Sequence, residues 1–244
     1  MRLLIFGGAA EGRELAQRTS ALGVQVTVSV ATALGAEALA DLTGVQVVTG
    51  RLDQAGMETL LSGFDLCVDA THPYATAVTP AIQAACAKTG TALCRLLRPA
   101  SHTDGAICVP SCPAAADFLA AQPGRVLLAT GAKELAAFSA LDRERLFVRI
   151  LPTHEGLSAC EALGIPHSHI LALQGPFTQK LNEAMLEQYQ IAWLVTKDGG
   201  QAGGFAEKLA AARAAGAGLV LVERPPDRGE RLEEILAYIE ERLK

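Results

Sequence analysis

The run Lys197-Asp198-Gly199-Gly200-Gln201-Ala202-Gly203-Gly204 places a cation, a carboxylate and four glycines side by side. Glycines at this density expose successive backbone N–H groups, which lets a loop hold an anion without side chains. Lys197 adds positive charge. A turn that only redirects the chain needs one glycine or one cap, so this loop reads as a binding element. A second cluster, Gly7-Gly8-Ala9-Ala10-Glu11-Gly12-Arg13, follows the apolar run Leu3–Phe6 and opens a helix. A strand that ends in glycine at the mouth of a helix presents N–H groups to a phosphate. The spacing is not G-x-G-x-x-G, so by itself this stretch suits a plain strand-to-helix turn as well as a phosphate site. The third cluster is Thr71-His72-Pro73-Tyr74. Thr71 as an N-cap and Pro73 in a first helical turn would be structural. His72 and Tyr74 have no such explanation. Lys133 in Ala129-Thr130-Gly131-Ala132-Lys133 and Gly175 in Leu173-Gln174-Gly175-Pro176-Phe177 complete the set.

These clusters share a position. Each follows a short apolar, β-branched run and precedes a helical pattern, at the carboxyl end of a strand, where ligands lie in open parallel sheets. The strands read as Leu3–Phe6, Val24–Val30, Val45–Val48, Asp65–Ala70, Thr91–Leu96, Arg125–Ala129, Leu146–Ile150, His169–Leu173, Ile191–Thr196 and Leu219–Val222, with helical patterns between them. Short connections in a β-α-β-α rhythm imply parallel strands and right-handed crossovers. Arg98–Pro113 breaks the rhythm with three prolines. The expected organisation is therefore an N-terminal doubly wound domain over 1–98, a crossing segment over 99–113 and a second such domain over 114–244.

Length and composition limit what these clusters can serve. At 244 residues, half of them hydrophobic, the chain can bury a substantial core. The net charge of −5 argues against nucleic acid or an anionic membrane as a partner. An anionic ligand must then be held by local arginines and helix N-termini; Arg95 and Arg98, at the end of the fifth strand, could bind a carboxylate. Cys67, Cys86, Cys94, Cys108, Cys112 and Cys160 form no C-x-x-C pair and read as free thiols in a reducing compartment. His102, His154, His167 and His169 show no ligand spacing, so no metal is expected. The chain opens on a strand and has no apolar run of membrane-spanning length, which leads to the expectation of a cytoplasmic protein. Oligomeric state is not legible here.

One absence bears on the cofactor. A dinucleotide fold selective for NAD carries an acid at the end of its second strand to bond the ribose. Here the strand ends Val28-Ser29-Val30-Ala31-Thr32. Ser29, Thr32 and Arg13 could instead meet a 2′-phosphate, which favours NADPH, with NADH the other candidate.

Taken in order, GGAAEGRELA, DATHPYA, LQGPF and VTKDGGQAGGFAEKLAAA resemble the precorrin-6A reductase and cobalt-precorrin-6A reductase family of cobalamin biosynthesis. The resemblance spans nearly the whole chain. It implies two Rossmann-like domains, each a doubly wound parallel sheet, with a ligand cleft between them, and hydride transfer from NAD(P)H to one double bond of a polycarboxylate tetrapyrrole. On that basis Gly7, Gly8, Glu11, Arg13, Ser29 and Thr71 are expected at the cofactor. Lys133, Gly175, Lys197, Gly200 and Gly203 are expected at the substrate. His72, Tyr74 and Asp198 are candidate proton sources, with solvent a fourth. Two departures stand out: the family commonly has threonine where this chain has Ala9, and serine where it has Gly199, so no role for a hydroxyl carries over to either. A transferase using a sugar nucleotide or S-adenosylmethionine, or a non-catalytic nucleotide sensor, would suit the same architecture.

Overall fold

The computed structural model describes residues 1–7, 10–75, 77–97, 103–199 and 203–244. Gly8, Ala9, Arg98, His102 and Gly200 lie outside them. The chain divides into two compact units, one of residues 1–98 with 225–244 and one of residues 99–224.

The first unit holds a five-stranded parallel sheet. In chain order its elements are β1 (Arg2–Phe6), α1 (Ala10–Ala21), β2 (Gln25–Val30), α2 (Ala33–Glu37), β3 (Val45–Thr49), α3 (Gln54–Leu61), β4 (Leu66–Asp69), α4 (Val78–Thr89) and β5 (Ala92–Arg95). The strands lie in the order β3-β2-β1-β4-β5, so the direction of winding reverses between β1 and β4. β1 is central, and Leu3, Leu4 and Ile5 are fully buried. A strand covered on both faces must be apolar throughout rather than alternating, which is why LLIF carries no polar residue. Asp53 begins α3 by accepting from Gly56 N at 2.8 Å.

The second unit continues with β6 (Ile107–Val109), α5 (Cys112–Ala120), β7 (Arg125–Ala129), β8 (Leu146–Ile150), α6 (His154–Leu163), β9 (Ile170–Ala172), α7 (Gln179–Gln188), β10 (Ile191–Lys197), α8 (Phe205–Ala214) and β11 (Gly218–Val222). Its six parallel strands lie in the order β6-β11-β10-β7-β8-β9, with the reversal between β10 and β7. Thr153 and Thr178 cap α6 and α7, accepting from Gly156 N at 3.1 Å and Leu181 N at 3.3 Å.

Three expectations change. The last helix, α9 (Leu232–Leu243), belongs to the first unit and not to a second domain over 114–244. Its Ile235, Leu236 and Ile239 are buried in one core with Leu3, Ile5 and Leu15. A helix follows the apolar surface that completes a core, whatever its place in the chain. The 99–113 segment contains β6, which pairs with β11 through Val220–Ile107, Leu221–Cys108 and Val222–Val109. A strand of three residues gives too little periodicity to show as one. The helix after β4 starts at Val78, so Thr71 does not cap it and Pro73 does not lie in its first turn. No helix among the described residues is long and apolar enough to cross a membrane. The six cysteines are free; Cys67, Cys86, Cys112 and Cys160 are buried, whereas Cys108 is exposed.

Candidate functional site

In the first unit the carboxyl ends of β1 and β4 meet where the winding reverses, the place at which a crevice opens in such sheets. Gly7 follows β1 with φ of 118°, and its N–H donates to Ser29 O at 2.9 Å. A Cβ on Gly7 would sit 2.6 Å from Ala70 O, and one on Gly12 would sit 2.7 Å from Gly7 O. Glycine at both positions lets the start of α1 press against the ends of β1 and β4, so that the helix N-terminus faces the crevice with no side chain at Gly7. Gly7, Ser29 and Thr71 are thus brought to one end of one sheet. Gly12, which the sequence reading passed over, makes the closest of these backbone approaches on α1.

Thr71 follows β4 and is held by Asp69, whose Oδ1 accepts from Thr71 N at 3.0 Å and from Thr71 Oγ1 at 2.6 Å. Thr79 Oγ1 donates to Asp69 Oδ2 at 2.7 Å. Arg95 Nη1 reaches Asp69 Oδ1 at 2.8 Å, and Arg95 Nη2 reaches Asp227 Oδ2 at 2.8 Å. Arg95 does bind carboxylates, but they are the chain's own. After Thr71, His72 accepts from Tyr74 N at its Nδ1 (3.3 Å), and the two rings stack with centroids 5.4 Å apart. His72 is exposed and Tyr74 half-buried.

Arg13, expected at the cofactor, is engaged within the chain. Its guanidinium donates to both oxygens of Asp41 at 2.7 and 2.6 Å and to Ala38 O at 2.6 Å. This hydrogen bonding raises the Arg13 pKa and lowers that of Asp41. A 2′-phosphate at Arg13 would have to displace Asp41. Thr32, expected beside it, caps α2 by accepting from Gly35 N at 3.2 Å.

In the second unit the ends of β7 and β10 meet at the reversal. Lys197 ends β10 and donates to Glu134 Oε1 at 2.7 Å. Asp198 follows it and is 7% exposed. Arg224 grips Asp198, Nε to Oδ2 at 2.8 Å and Nη2 to Oδ1 at 2.9 Å, and Arg224 Nε also donates to Asp198 O at 3.0 Å. Such a fork fixes the side chain in the plane of the guanidinium. Lys133 is exposed on a short 3-10 helix, Ala132–Phe138.

Gly175 and Gly203 line one cavity of about 340 Å³ in this unit, together with Arg149, Phe177, Asn182 and Lys208. Arg149 Nη1 donates to Asn182 Oδ1 at 2.7 Å, and its guanidinium lies 4.5 Å from the centroid of the Phe177 ring. Lys208 Nζ donates to Gly203 O at 2.6 Å. Burial pushes the Arg149 guanidinium down to about 10. Burial, then repulsion from Arg149, pushes Lys208 down to about 8, with Glu207 partly offsetting both. Sequence reasoning missed both cations. Arg149 left a signal, a charge inside the apolar run Leu146-Phe147-Val148-Arg149-Ile150, whereas Lys208 in a helix rich in alanine left none.

The family model described as precorrin-6x reductase CbiJ/CobK matches residues 2–240. The cobalt-precorrin-6A reductase of Methanothermobacter thermautotrophicus is 36% identical over 92% of this chain and 77% of its own length. That of Salmonella typhimurium is 34% identical over 99% of this chain and 95% of its own. Among solved structures, CobK precorrin-6A reductase superposes with a TM-score of 0.77 at 30% identity, covering 99% of this chain and 97% of that one. By that match and those likenesses, this chain, with its two parallel α/β units, is a member of the precorrin-6x reductase CbiJ/CobK family.

Proposed function

We propose that the protein reduces one double bond of the precorrin-6A macrocycle, or of its cobalt form, with NADPH as hydride donor in cobalamin biosynthesis. The observation that carries this reading is the glycine-lined crevice between β1 and β4 in a chain matched to the reductase family along residues 2–240.

The residues of the first unit fit a dinucleotide. Gly7 leaves room where a Cβ would strike Ala70 O, and α1 begins at Ala10, three residues on. In this reading Gly7, Gly8 and Glu11 hold the pyrophosphate side, with Ser29 and Arg13 toward the ribose and Thr71 across the crevice. The cofactor, when bound, supplies a hydride to one carbon of the double bond, and a proton completes the other carbon. His72 and Tyr74 stand directly after Thr71 and are the groups assigned to hold or relay that proton. Asp198, gripped by Arg224, is assigned to position its loop at the substrate together with Lys197, Gly200 and Gly203. Lys133 and Gly175 complete the substrate contacts. NADPH is preferred because β2 ends without an acid to bond a free ribose hydroxyl.

The test is cofactor oxidation by the purified protein. NADPH is expected to be consumed only when the oxidised macrocycle is present. No turnover with either nicotinamide cofactor, and with either the metal-free or the cobalt macrocycle, would sink the reading. The transferase and sensor alternatives gain no support from the relatives named above.

A further inference from the structure

The cavity at the carboxyl ends of β7, β8 and β9 is lined by a buried cation, Arg149, and a half-buried one, Lys208, and neither forms an ion pair with a carboxylate among the described residues. Glu207, beside Lys208 on the same helix, has a buried Oε2 and favours the charged lysine. Arg149 is 7% exposed. Its hydrogen-bond partner there is the neutral amide of Asn182, with the Met185 sulfur 3.8 Å away. Lys208 contacts a backbone carbonyl. A buried charge is costly unless paired, and two of one sign in a single cavity repel as well. Holding a strand to a helix does not require this. A glutamine at 149 could bond Asn182, and an apolar residue at 208 could fill the space. Glu207 offsets this only in part, since Lys208 stays below its ordinary pKa, so the arrangement makes sense if a further negative charge arrives from outside.

The surroundings agree. Gly204, at φ of 63°, is the N-cap of α8, so the positive end of a ten-residue helix borders the same cavity. The Arg149 guanidinium carbon lies over the Phe177 ring, a cation–π contact on the cavity wall. At about 340 Å³ the cavity is at the small end for a whole ligand. It suits one arm of a larger one.

We propose that Arg149 and Lys208 form an anion subsite that takes one carboxylate arm of the macrocyclic substrate. This rests on the proposed reductase function, which supplies a polycarboxylate; the chemistry recognised is an anionic oxygen group paired by a guanidinium and an ammonium. The subsite fixes the ring by an arm remote from the reacting double bond, so its contribution falls on binding rather than on the chemical step.

The test uses Lys208→Gln, which keeps a donor for Gly203 O, and Arg149→Gln, which keeps one for Asn182. Macrocycle and NADPH affinities are measured separately by equilibrium titration, with thermal melts as a check on folding. For Lys208→Gln, macrocycle binding is expected to weaken between roughly tenfold and a hundredfold, as for a lost charged hydrogen bond. NADPH affinity should stay unchanged and the melting temperature should not fall. Unchanged macrocycle affinity in folded Lys208→Gln protein overturns the proposal, and Arg149→Gln is then not needed. Weakened NADPH binding with unchanged macrocycle binding also overturns it, because the cavity would then hold a cofactor phosphate. If wild-type protein binds no macrocycle at all, the reductase reading fails first, a result distinct from either.

Discussion

Asp69 and Arg95 are register partners on the neighbouring strands β4 and β5, and their side chains close on each other at 2.8 Å with the carboxylate 1% exposed. The pair anchors the chain at the crevice, since Arg95 Nη1 also donates to the carbonyl of Thr71 at 3.1 Å and Asp69 holds the Thr71 N–H. The segment bearing His72 and Tyr74 therefore leaves the sheet from a fixed point.

Breaking this pair from one side leaves a buried charge without compensation. Asp69→Ala is expected to lower stability by about 3–5 kcal/mol, the range for a buried ion pair deprived of one partner. Urea denaturation checks this. A loss no larger than that of an exposed pair such as Arg18–Glu233 would show that Arg95 is satisfied without Asp69.

The crevice wall at Gly7 and Gly12 allows no side chain. Gly12→Val should remove NADPH binding, because its Cβ would meet Gly7 O at 2.7 Å and Ala70 Cβ at 3.1 Å. Gly7→Ala adds a backbone strain of order 1–3 kcal/mol to a similar clash. Fluorescence titration with NADPH, on protein shown by circular dichroism to be folded, decides the matter. Normal affinity in Gly12→Val protein would move the cofactor elsewhere.

Arg13 and Asp41 bear on the choice of nucleotide. If Arg13 serves a 2′-phosphate, Asp41 competes with that phosphate for the same guanidinium. Asp41→Asn should then tighten NADPH binding and leave NADH unchanged, while Arg13→Ala should weaken NADPH by about tenfold and spare NADH. Equal effects on both nucleotides would confine the pair to holding α1 against the turn after α2.

Lys208 gives the site a pH dependence of known sign. Its pKa falls from the ordinary 10.5 to about 8 in the folded protein. Arg149 from β8 lowers it further, and Glu207 on the same helix opposes that. Between these two values the unfolded chain binds more protons than the folded one, so this group makes stability rise with pH across that window. Binding follows the opposite course. An arriving carboxylate favours the charged lysine, so macrocycle affinity should fall above about pH 8, and binding near that pH should take up a proton. Calorimetry in buffers of differing ionisation enthalpy measures the uptake, and Lys208→Gln should abolish it.

Much of this protein was decided by short-range pattern. Apolar runs such as Leu3–Phe6 and Val126–Leu128 can sit only in sheets covered on both faces, and glycine or a cap at their carboxyl ends opens the next helix. That local logic yields parallel α/β units and places Gly7, Thr71, Lys197 and Gly203 at strand ends. Periodicity carries no information on distant partners. Nothing in the pattern of α9 says that Ile235 and Ile239 complete the core around Leu3, because any apolar stripe can serve any uncovered face. Pairing of charges is likewise set by proximity in space: Arg95 with Asp69 and Asp227, Arg224 with Asp198, Arg13 with Asp41. Arg149 on a strand and Lys208 on a helix, which form no ion pair with a carboxylate among the described residues, are far apart in the chain. Only tertiary packing brings them into one cavity, and there their mutual repulsion leaves an anion to be supplied from outside.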